Sequence, residues 1–435
     1  MLPAISLAST NGLLPVVDFR KTKALPISIS TMRLIPYQVF PVFIAWQLIS
    51  LVSAARAETP GPIAVAGPSV ELVGLVAIPG AQFDKSGLEG KLETGSPANA
   101  LGGFSAIDYC SESDEYYVLS DRGPADGAAS FACRFHRITF RPKLDTSDVS
   151  KVEWDWNLKS TQLLRTSTEQ PFTGSLAALQ AWDGVGDCPS LDPEGLRLVN
   201  DLVLISDEYG PSIRFFDRSG RLKSEVAISS KFGLSERKTP AMKEGTFSNR
   251  GIEGICQTPK GGALVAVFQG PLVQDGRIVK KKCLGVQSRW LVIQRDLKTM
   301  SELNYVLDDE STGVSEVLAI DETRFLVLER DSESGVDAKV KRIYLADLAE
   351  ASDISHLDSI AQGIPTGLKP IRKELLIDLM NPSYGLNGEK TPEKPEGLAW
   401  GPSMADGRRL LVVCFDNDFE EARQSILAAF AIQGL

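Results

Sequence analysis

A short phrase of acidic residues and glycine recurs along this chain and constrains its fold more than any other feature. The copies are centred on Glu194, Glu253, Glu316 and Glu396, and an earlier variant carries Ser105 in place of the glutamate. An apolar run of strand type follows each copy. Units of strand, tight turn and strand that recur at intervals of about 40–50 residues or more are typical of solenoids and propellers, and the strand character favours a propeller.

The sequence therefore predicts an all-β chain folded as a β-propeller of about six four-stranded blades. Five units can be recognised from the recurring phrase, and residues 141–190 could supply the sixth blade. The apolar stretch from Val70 to Ile78 is predicted to be an opening strand that could close the ring. Few stretches have the periodicity of a long amphipathic helix.

The N-terminal segment is predicted to lie outside this fold. Residues 34–52 are mostly apolar and uncharged, and Ala55-Arg56-Ala57 matches the small-residue pattern of a signal-peptidase site. We expect residues 1–57 to be a signal peptide (with Met32 as an alternative start), residues 58–69 a linker, and residues 70–435 the propeller domain. This predicts export to the periplasm or the medium, with no stable membrane span after cleavage. The alternative is an N-terminal membrane anchor.

The composition and motif content argue against several classes of function. A formal net charge of −10 argues against nucleic acid as a partner, because nucleic-acid binding needs a basic surface. The chain has two histidines, no Cys-x-x-Cys motif and no Gly-x-Ser-x-Gly elbow, which disfavours a zinc centre and a serine-hydrolase triad. His136 is predicted to be structural. The six cysteines permit disulfides, and Cys110 with Cys133 and Cys256 with Cys283 are the pairs to test first.

Acidic residues at equivalent positions of successive blades would converge on the central axis of a propeller. They would repel each other there unless a cation neutralised them, and oxygen ligands of this kind suit Ca²⁺. A calcium ion at the hub is therefore predicted. The predicted metal ligands are Glu194, Asp207, Glu253, Glu316, Glu329, Glu396 and Asp416. The alternatives are that the glutamates cap their own strands and that the acids after the apolar runs are solvated turn residues.

Four further residues are predicted to carry the chemistry. Asp121 and Glu208 directly follow apolar runs, where a strand would emerge at one face of the propeller. Arg122 and Arg250 flank the acids and could hold an anionic group in bidentate fashion. Ion pairing is the alternative reading of both arginines. Gln269 is the uncharged counterpart of these acids in its unit.

Together these segments resemble the phytase-like family, which is named for an esterase-like activity of phytase. The resemblance spans roughly residues 70–433 and rests on Leu119-Ser120-Asp121-Arg122-Gly123-Pro124, Asp192-Pro193-Glu194-Gly195, Ser206-Asp207-Glu208-Tyr209-Gly210-Pro211, Asn249-Arg250-Gly251-Ile252-Glu253-Gly254, Ser315-Glu316, Leu328-Glu329-Arg330-Asp331 and Glu396-Gly397-Leu398. It implies a β-propeller, exported in many bacteria, that hydrolyses esters or phosphate esters. The segment from Phe415 to Asp418 departs from the pattern, in which a serine or aspartate precedes the acidic pair.

The predicted function is that of an exported, monomeric hydrolase acting on small phosphate esters or carboxylate esters with calcium-bound water at the hub. Two alternatives stay open. One is a secreted propeller that binds a ligand or a protein and uses cations only as structural pins. The other is a lactonase-like propeller, which would need the same calcium and a different pocket.

Overall fold

The computed structural model describes residues 67–143, 152–182, 188–235, 243–247, 249–280 and 282–435. The predicted signal peptide and most of the predicted linker lie outside the described residues.

Strands dominate the described chain. In chain order they are β1 (Ser69–Pro79), β2 (Gln82–Phe83), β3 (Ala100–Leu101), β4 (Phe104–Cys110), β5 (Glu115–Ser120), β6 (Arg134–Pro142), β7 (Trp154–Leu163), β8 (Pro193–Val199), β9 (Leu202–Asp207), β10 (Ser212–Asp217), β11 (Leu222–Val226), β12 (Ile252–Gln257), β13 (Ala263–Phe268), β14 (Arg277–Val279), β15 (Lys282–Leu284), β16 (Gln287–Gln294), β17 (Met300–Val306), β18 (Gly313–Ala319), β19 (Arg324–Arg330), β20 (Lys341–Asp347), β21 (Arg372–Asp378), β22 (Lys394–Trp400), β23 (Arg409–Asp416) and β24 (Gln424–Gln433). The helices are α1 (Leu176–Ala181) and the short 3-10 turns Ser230–Phe232, Val273–Asp275, Gly335–Asp337, Pro382–Tyr384 and Gly388–Lys390. None of the helices in the described ranges is long and apolar enough to cross a membrane.

Five antiparallel four-stranded sheets form the blades of a propeller. Blade 1 is β4–β7, blade 2 is β8–β11, blade 3 is β12, β13, β16 and β17, blade 4 is β18–β21, and blade 5 is β22–β24 completed by β1. The innermost strands β4, β8, β12, β18 and β22 contact one another in a closed ring, with β22 beside β4. The propeller is confirmed, and it has five blades where about six were predicted.

Strand β1 closes the ring, as the sequence suggested. It pairs antiparallel with β24, from Ser69 opposite Gln433 to Pro79 opposite Gln424, and becomes the outer strand of blade 5. The first strand of the fold is therefore hydrogen-bonded into the last blade.

The expectation that residues 141–190 form a sixth blade is wrong. In the described part of this stretch, β7 pairs with β6 as the outer strand of blade 1, and α1 follows it. The indoles of Trp154 and Trp156 pack against the core of blade 1 together with Leu158. A new blade needs four paired strands, and the alternating pattern here supplies one, which the existing sheet binds.

Apolar side chains fill the wedges between neighbouring blades. One cluster joins Val118 and Ile138 of blade 1 to Val412 and Ala429 of blade 5, and similar clusters lie between the other blades. Because a blade is buried on both faces, its middle strands are continuous apolar runs rather than alternating ones.

The glycine of the recurring phrase lies where two inner strands approach closely. A Cβ atom at Gly195 would lie 2.9 Å from the carbonyl oxygen of Glu253, and one at Gly397 would lie 2.8 Å from the amide nitrogen of Ile107. Glycine is therefore required at these positions by packing between blades.

Candidate functional site

A bulge in each inner strand sets the position of the recurring residue. At each bulge one or two residues of the inner strand are passed over in the pairing with the second strand. A bulge takes a residue out of the ladder and re-aims its side chain. We call these equivalent residues the bulge ring: Ser105, Glu194, Glu253, Ser315 and Glu396.

A second set of equivalent residues stands where the second strands end. Each is paired, through its backbone, with the residue two positions before the bulge. We call this set the strand-end ring: Asp121, Glu208, Gln269, Arg330 and Asp416. The two rings together surround the mouth of the central channel.

Carboxylates from several blades converge at this mouth. Glu194 of blade 2 interacts electrostatically with Glu253 of blade 3 and with Glu396 of blade 5. Blades 2 and 5 are not neighbours, so the interaction with Glu396 crosses the hub. The structure thus brings together acids that lie far apart in the sequence.

The tightest acidic group consists of Asp192, Glu194 and Glu208. One carboxylate oxygen of each residue lies within 4.8 Å of the other two. Asp192 is fully buried, accepts a 3.2 Å hydrogen bond from the backbone N–H of Arg122, and contacts the guanidinium of the same arginine. Asp192 was not among the site residues predicted from the sequence. Its place two residues before Glu194 in the recurring phrase was the available signal.

Glu253 extends this group toward blade 3. Its carboxyl group lies within hydrogen-bonding reach of the Glu208 carboxyl group, and Gln269 Nε2 donates to its Oε1 at 2.9 Å. No N–H or O–H donor of the described residues reaches Glu208 Oε1 or Glu253 Oε2. Two carboxylates so close need a shared proton or a bound cation between them.

Burial and like charge raise the pKa values of this group. Burial, followed by repulsion from Asp192 and Glu253, raises the pKa of Glu194 well above its ordinary value. Burial and repulsion from Glu253 do the same to the pKa of Glu208. Burial also raises the pKa of Glu253, although Arg330 opposes the rise. Displaced pKa values of this kind are common at functional sites.

Asp121 and Asp416 form a second acidic group between blades 1 and 5. Burial, followed by the charge of Asp416, raises the pKa of Asp121 well above its usual range. Burial raises the pKa of Asp416 to about 7, although Lys394 opposes the rise. The Nζ atom of Lys394 lies 3.5 Å from Asp416 Oδ2, so this second group is partly neutralised.

Three arginines border the mouth, and their surroundings differ. Arg122 contacts Asp192 and Asn249 and pairs with Asp126 at 3.1 Å, so it holds the acidic group in place. Arg250 lines a recess between blades 3 and 4, and its guanidinium makes no ion pair or hydrogen bond with the residues that the structure describes. Arg330, which the sequence analysis missed, donates to Glu396 at 2.6 Å.

Asp207 and Glu329 lie outside both rings. Asp207 accepts hydrogen bonds from the backbone N–H of Asp192 at 2.9 Å and from Arg214 at 3.1 Å. Glu329 accepts from Lys373 Nζ at 2.7 Å. Each stands one residue before a member of the strand-end ring, and successive side chains of a strand point to opposite faces. Both are therefore held by structural partners instead of facing the mouth.

Glu316 lies one residue beyond the bulge ring, so its predicted equivalence with the other glutamates is wrong. The register puts Ser315 at the bulge and Glu316 opposite Leu328, where the phrases of blades 3 and 5 have glycine. Burial raises the pKa of Glu316 to about 8, and Arg197 opposes the rise. The Arg197 guanidinium pairs with this carboxylate at 2.9 Å.

Arg197 crosses the channel below the rings. It lies on β8 and donates to the carbonyl oxygen of Ile107 in blade 1 at 3.0 Å and to that of Val317 in blade 4 at 2.8 Å. Blades 2 and 4 are not adjacent, so this side chain spans the hub. The pair of Arg197 and Glu316 therefore forms a floor beneath the acidic mouth.

The cysteines and His136 belong to the framework. All six cysteines are buried, and neither of the two disulfides chosen for testing is formed in the structure. The ring of His136 lies between Ser120 Oγ at 3.1 Å and Thr161 Oγ1 at 2.9 Å. Burial lowers the pKa of His136 to about 3, so the ring is neutral at physiological pH.

The acidic mouth offers the oxygen ligands that a hard cation requires. Among the residues that the structure describes, its seven carboxylates outnumber its four cations, Arg122, Arg250, Arg330 and Lys394. The carboxylates, all buried, are Asp121, Asp192, Glu194, Glu208, Glu253, Glu396 and Asp416. Oxygen donors from carboxylate and amide groups suit Ca²⁺. The group of Asp192, Glu194 and Glu208 fits such an ion best, because one oxygen of each residue lies within 4.8 Å of the other two and Glu208 Oε1 has no hydrogen-bond donor among the described residues.

The fold and this site define a five-bladed β-propeller with a buried acidic hub. The chain belongs to the phytase-like family described by the esterase-like activity of phytase, whose family model matches residues 99–419.

Comparisons with individual proteins identify one sequence relative and several solved structures of low similarity. An "Uncharacterized secreted protein" of the fungus Arthroderma benhamiae is 26% identical over 402 residues, which cover 73% of this chain and 76% of the relative. Among solved structures, a tail fibre of Staphylococcus aureus phage P68 matches at 11% identity and TM-score 0.37, covering 84% of this chain and 53% of that one. A GH43 β-1,3-galactosidase matches at 10% identity and TM-score 0.38, covering 79% and 94%. We draw no functional conclusion from structural matches this remote.

Proposed function

We propose that this chain is an exported hydrolase that cleaves phosphate esters or carboxylate esters at the propeller hub with the help of a divalent cation, Ca²⁺ first. The observation that carries the proposal is the buried group of Asp192, Glu194 and Glu208, with Glu253 beside it. Membership of the phytase-like family supports ester hydrolysis. The secreted fungal relative supports export.

The trio of Asp192, Glu194 and Glu208 would hold the cation. A bound divalent ion would neutralise the acidic group and polarise an oxygen of the ester. Arg122 keeps Asp192 in position by bonding to it through both its backbone and its side chain. Asp121 and Asp416 would offer a second, weaker cation position, because Lys394 already neutralises part of their charge.

Glu253 would move the proton. Gln269 fixes one of its oxygens, and the other has no N–H or O–H donor among the described residues. A carboxyl group with a raised pKa can accept a proton from water near neutral pH and return it to a leaving group. In that reaction the water oxygen bonds to carbon or phosphorus and the bond to the leaving oxygen breaks. The proton that Glu253 removed ends on that oxygen, so the enzyme is regenerated.

The first test compares chelated and calcium-supplied protein on four substrates: p-nitrophenyl phosphate, phytate, a short acyl ester and a lactone. Two variants accompany the wild type. Glu253→Gln removes the proton acceptor, and Glu350→Gln removes an exposed carboxylate, 80% accessible in its side chain. We expect calcium-dependent turnover that falls at least 100-fold in Glu253→Gln and is unchanged in Glu350→Gln.

The other outcomes separate the alternatives. Lactone cleavage without phosphate or acyl ester cleavage would indicate a lactonase-like enzyme. A calcium-induced rise in melting temperature with no turnover would indicate a binding propeller with structural cations. Turnover that is the same in chelated protein, or in Glu253→Gln, would contradict the proposal.

A further inference from the structure

Blade 4 breaks the acidic pattern of the mouth. In the bulge ring it carries Ser315, where blades 2, 3 and 5 carry glutamates. In the strand-end ring it carries Arg330, where the other blades have acids or an amide. Gln269, the amide, belongs to the neighbouring blade 3. The side of the hub next to blade 4 is therefore neutral to basic, whereas the side next to blade 2 is acidic.

A small recess lies on this basic side, between blades 3 and 4. Two arginines, four hydroxyl residues, one glutamine and one glycine line it, without a carboxylate or an apolar side chain. Its cavity volume is about 50 Å³. Since about 10–15 Å³ of such volume holds one water molecule, the recess has room for a compact group of about four oxygen-sized atoms.

Arg250 is held at this recess by backbone geometry. The residue before it, Asn249, adopts a left-handed conformation with φ of 63° and directs its side chain to Arg122, while Arg250 itself lines the recess. A Cβ atom at Gly270 would lie 3.0 Å from Arg250 Nη1, so the glycine leaves room for the guanidinium. This charge is the one that has no counter-ion among the described residues at the mouth.

Arg330 and Ser315 complete the polar wall. Arg330 Nε donates to Ser315 Oγ at 2.9 Å, so the hydroxyl proton of Ser315 is free to donate in another direction. Ser332 stands at the exposed rim. The recess therefore offers donors and positive charge, which is what an oxyanion requires.

We propose that this recess binds the phosphoryl group of a phosphate monoester, with Arg250 as its principal ligand. The inference rests on the proposed function, because it selects the phosphate esters from the two classes of substrate given there. A phosphoryl group has the size and charge that the recess accepts, whereas an acyl chain would find no apolar contact in it. Gln269 lines the recess and also bonds to Glu253, so a group bound there lies next to the proton-transfer residue.

The test measures binding separately from turnover. Inorganic phosphate is titrated into the full chain, chelated and with one equivalent of Ca²⁺, and binding is followed by calorimetry and by ³¹P line broadening. Acetate, the product type of an acyl ester, is the comparison ligand. The variant is Arg250→Gln, and the matched control is Arg277→Gln, an exposed arginine on β14, outside blade 3, that pairs with Glu310 at 2.8 Å.

We expect phosphate to bind the wild type more tightly than acetate, with at least a tenfold loss in Arg250→Gln and no change in Arg277→Gln. A second variant, Ser315→Glu, introduces the glutamate found in blades 2, 3 and 5 and should lose phosphate binding to the same extent. Because Arg250 is only partly buried, its variant should fold even if Ser315→Glu does not.

The results distinguish failure of this inference from failure of the proposed function. Phosphate binding that depends on Arg250, in a protein with no turnover, would support the recess and reject the hydrolase. Calcium-dependent cleavage of acyl esters without phosphate binding would support the hydrolase and reject the recess. Equal phosphate affinity in wild type and Arg250→Gln would also reject it.

Discussion

The hub of this propeller contains two layers of buried charge, and they are organised differently. At the mouth, carboxylates outnumber cations, and Glu208 and Glu253 each keep an oxygen without a donor among the described residues. In the floor, the charge of Arg197 is opposed by that of Glu316, and its guanidinium donates to the backbone carbonyl groups of three residues, Ile107, Leu196 and Val317. A buried charge that faces an opposite charge supports a structure, whereas an excess of buried like charge costs stability unless a ligand neutralises it.

The difference also shows how little separates the two roles. Glu253 and Glu316 are glutamates of neighbouring inner strands, and they differ by one position relative to the bulge. One position turns the side chain from the mouth to the floor. A glutamate in the recurring phrase is therefore a candidate ligand only when it occupies the bulge itself.

The largest effect is expected from the floor. Arg197→Met should destabilise the protein by about 3–5 kcal/mol, because it leaves the buried Glu316 carboxylate without its counter-charge and three carbonyl groups without this donor. Chemical unfolding measures this. If the layers are distinct, the folded fraction of the variant should keep the calcium affinity of the wild type. A loss of calcium affinity without a loss of stability would contradict the separation.

The next effect comes from two adjacent acids with opposite roles. Asp207→Asn should cost about 1–3 kcal/mol, because Asp207 accepts from the amide of Asp192 and from Arg214. Glu208→Gln should change the stability of chelated protein by less than about 1 kcal/mol, since it removes a repelling charge. Glu208→Gln should abolish the rise in melting temperature that calcium causes, whereas Asp207→Asn should retain that rise. The reverse pattern would show that the strand-end ring has been misassigned.

The smallest effect is the pH dependence of chelated protein. The pKa of Asp416 is raised to about 7 in the folded state, so the folded protein keeps a proton that the unfolded chain has lost between about pH 4 and pH 7. Its contribution to stability is complete at low pH and is lost as the pH rises to 7.

Wild type and Asp416→Asn isolate that contribution. Their unfolding free energies should agree near pH 4, and the variant should become the more stable by about 1–3 kcal/mol near pH 7.5. Calcium should reduce the difference if the ion neutralises the same carboxylate. A difference that does not change between pH 4 and pH 7.5 would contradict the raised pKa.

Much of the architecture could be predicted from local patterns. Apolar runs bounded by turns indicated strands, their repetition indicated a propeller, and β1 was expected as the closing strand. The sixth blade was wrong because the sequence of β7 does not show which sheet it joins. That choice depends on packing of Trp154 and Trp156 against a core built from distant segments.

The site was predicted less completely, for a related reason. The phrases around Glu194, Glu253 and Glu396 indicated the mouth correctly as a place in the fold. Ser315 and Glu316 could not be told apart, because the bulge is visible only when two strands are paired. Arg197 and Arg330 gave no signal, since their charged partners, Glu316 and Glu396, lie in other blades. Asp207 and Glu208 could be told apart only once it was known which side chains of β9 face which side of the sheet.

The pairing of β1 with β24 has a consequence for how the molecule is made. Residues 69–79 leave the ribosome early, but the strand that binds them is residues 424–433. The ring of blades cannot close until nearly the whole polypeptide has been synthesised, because the pairing that closes it joins β1 to β24, the two strands that lie farthest apart in the sequence. As long as residues 424–433 are missing, β1 has no partner strand in blade 5 and the ring of blades stays unclosed.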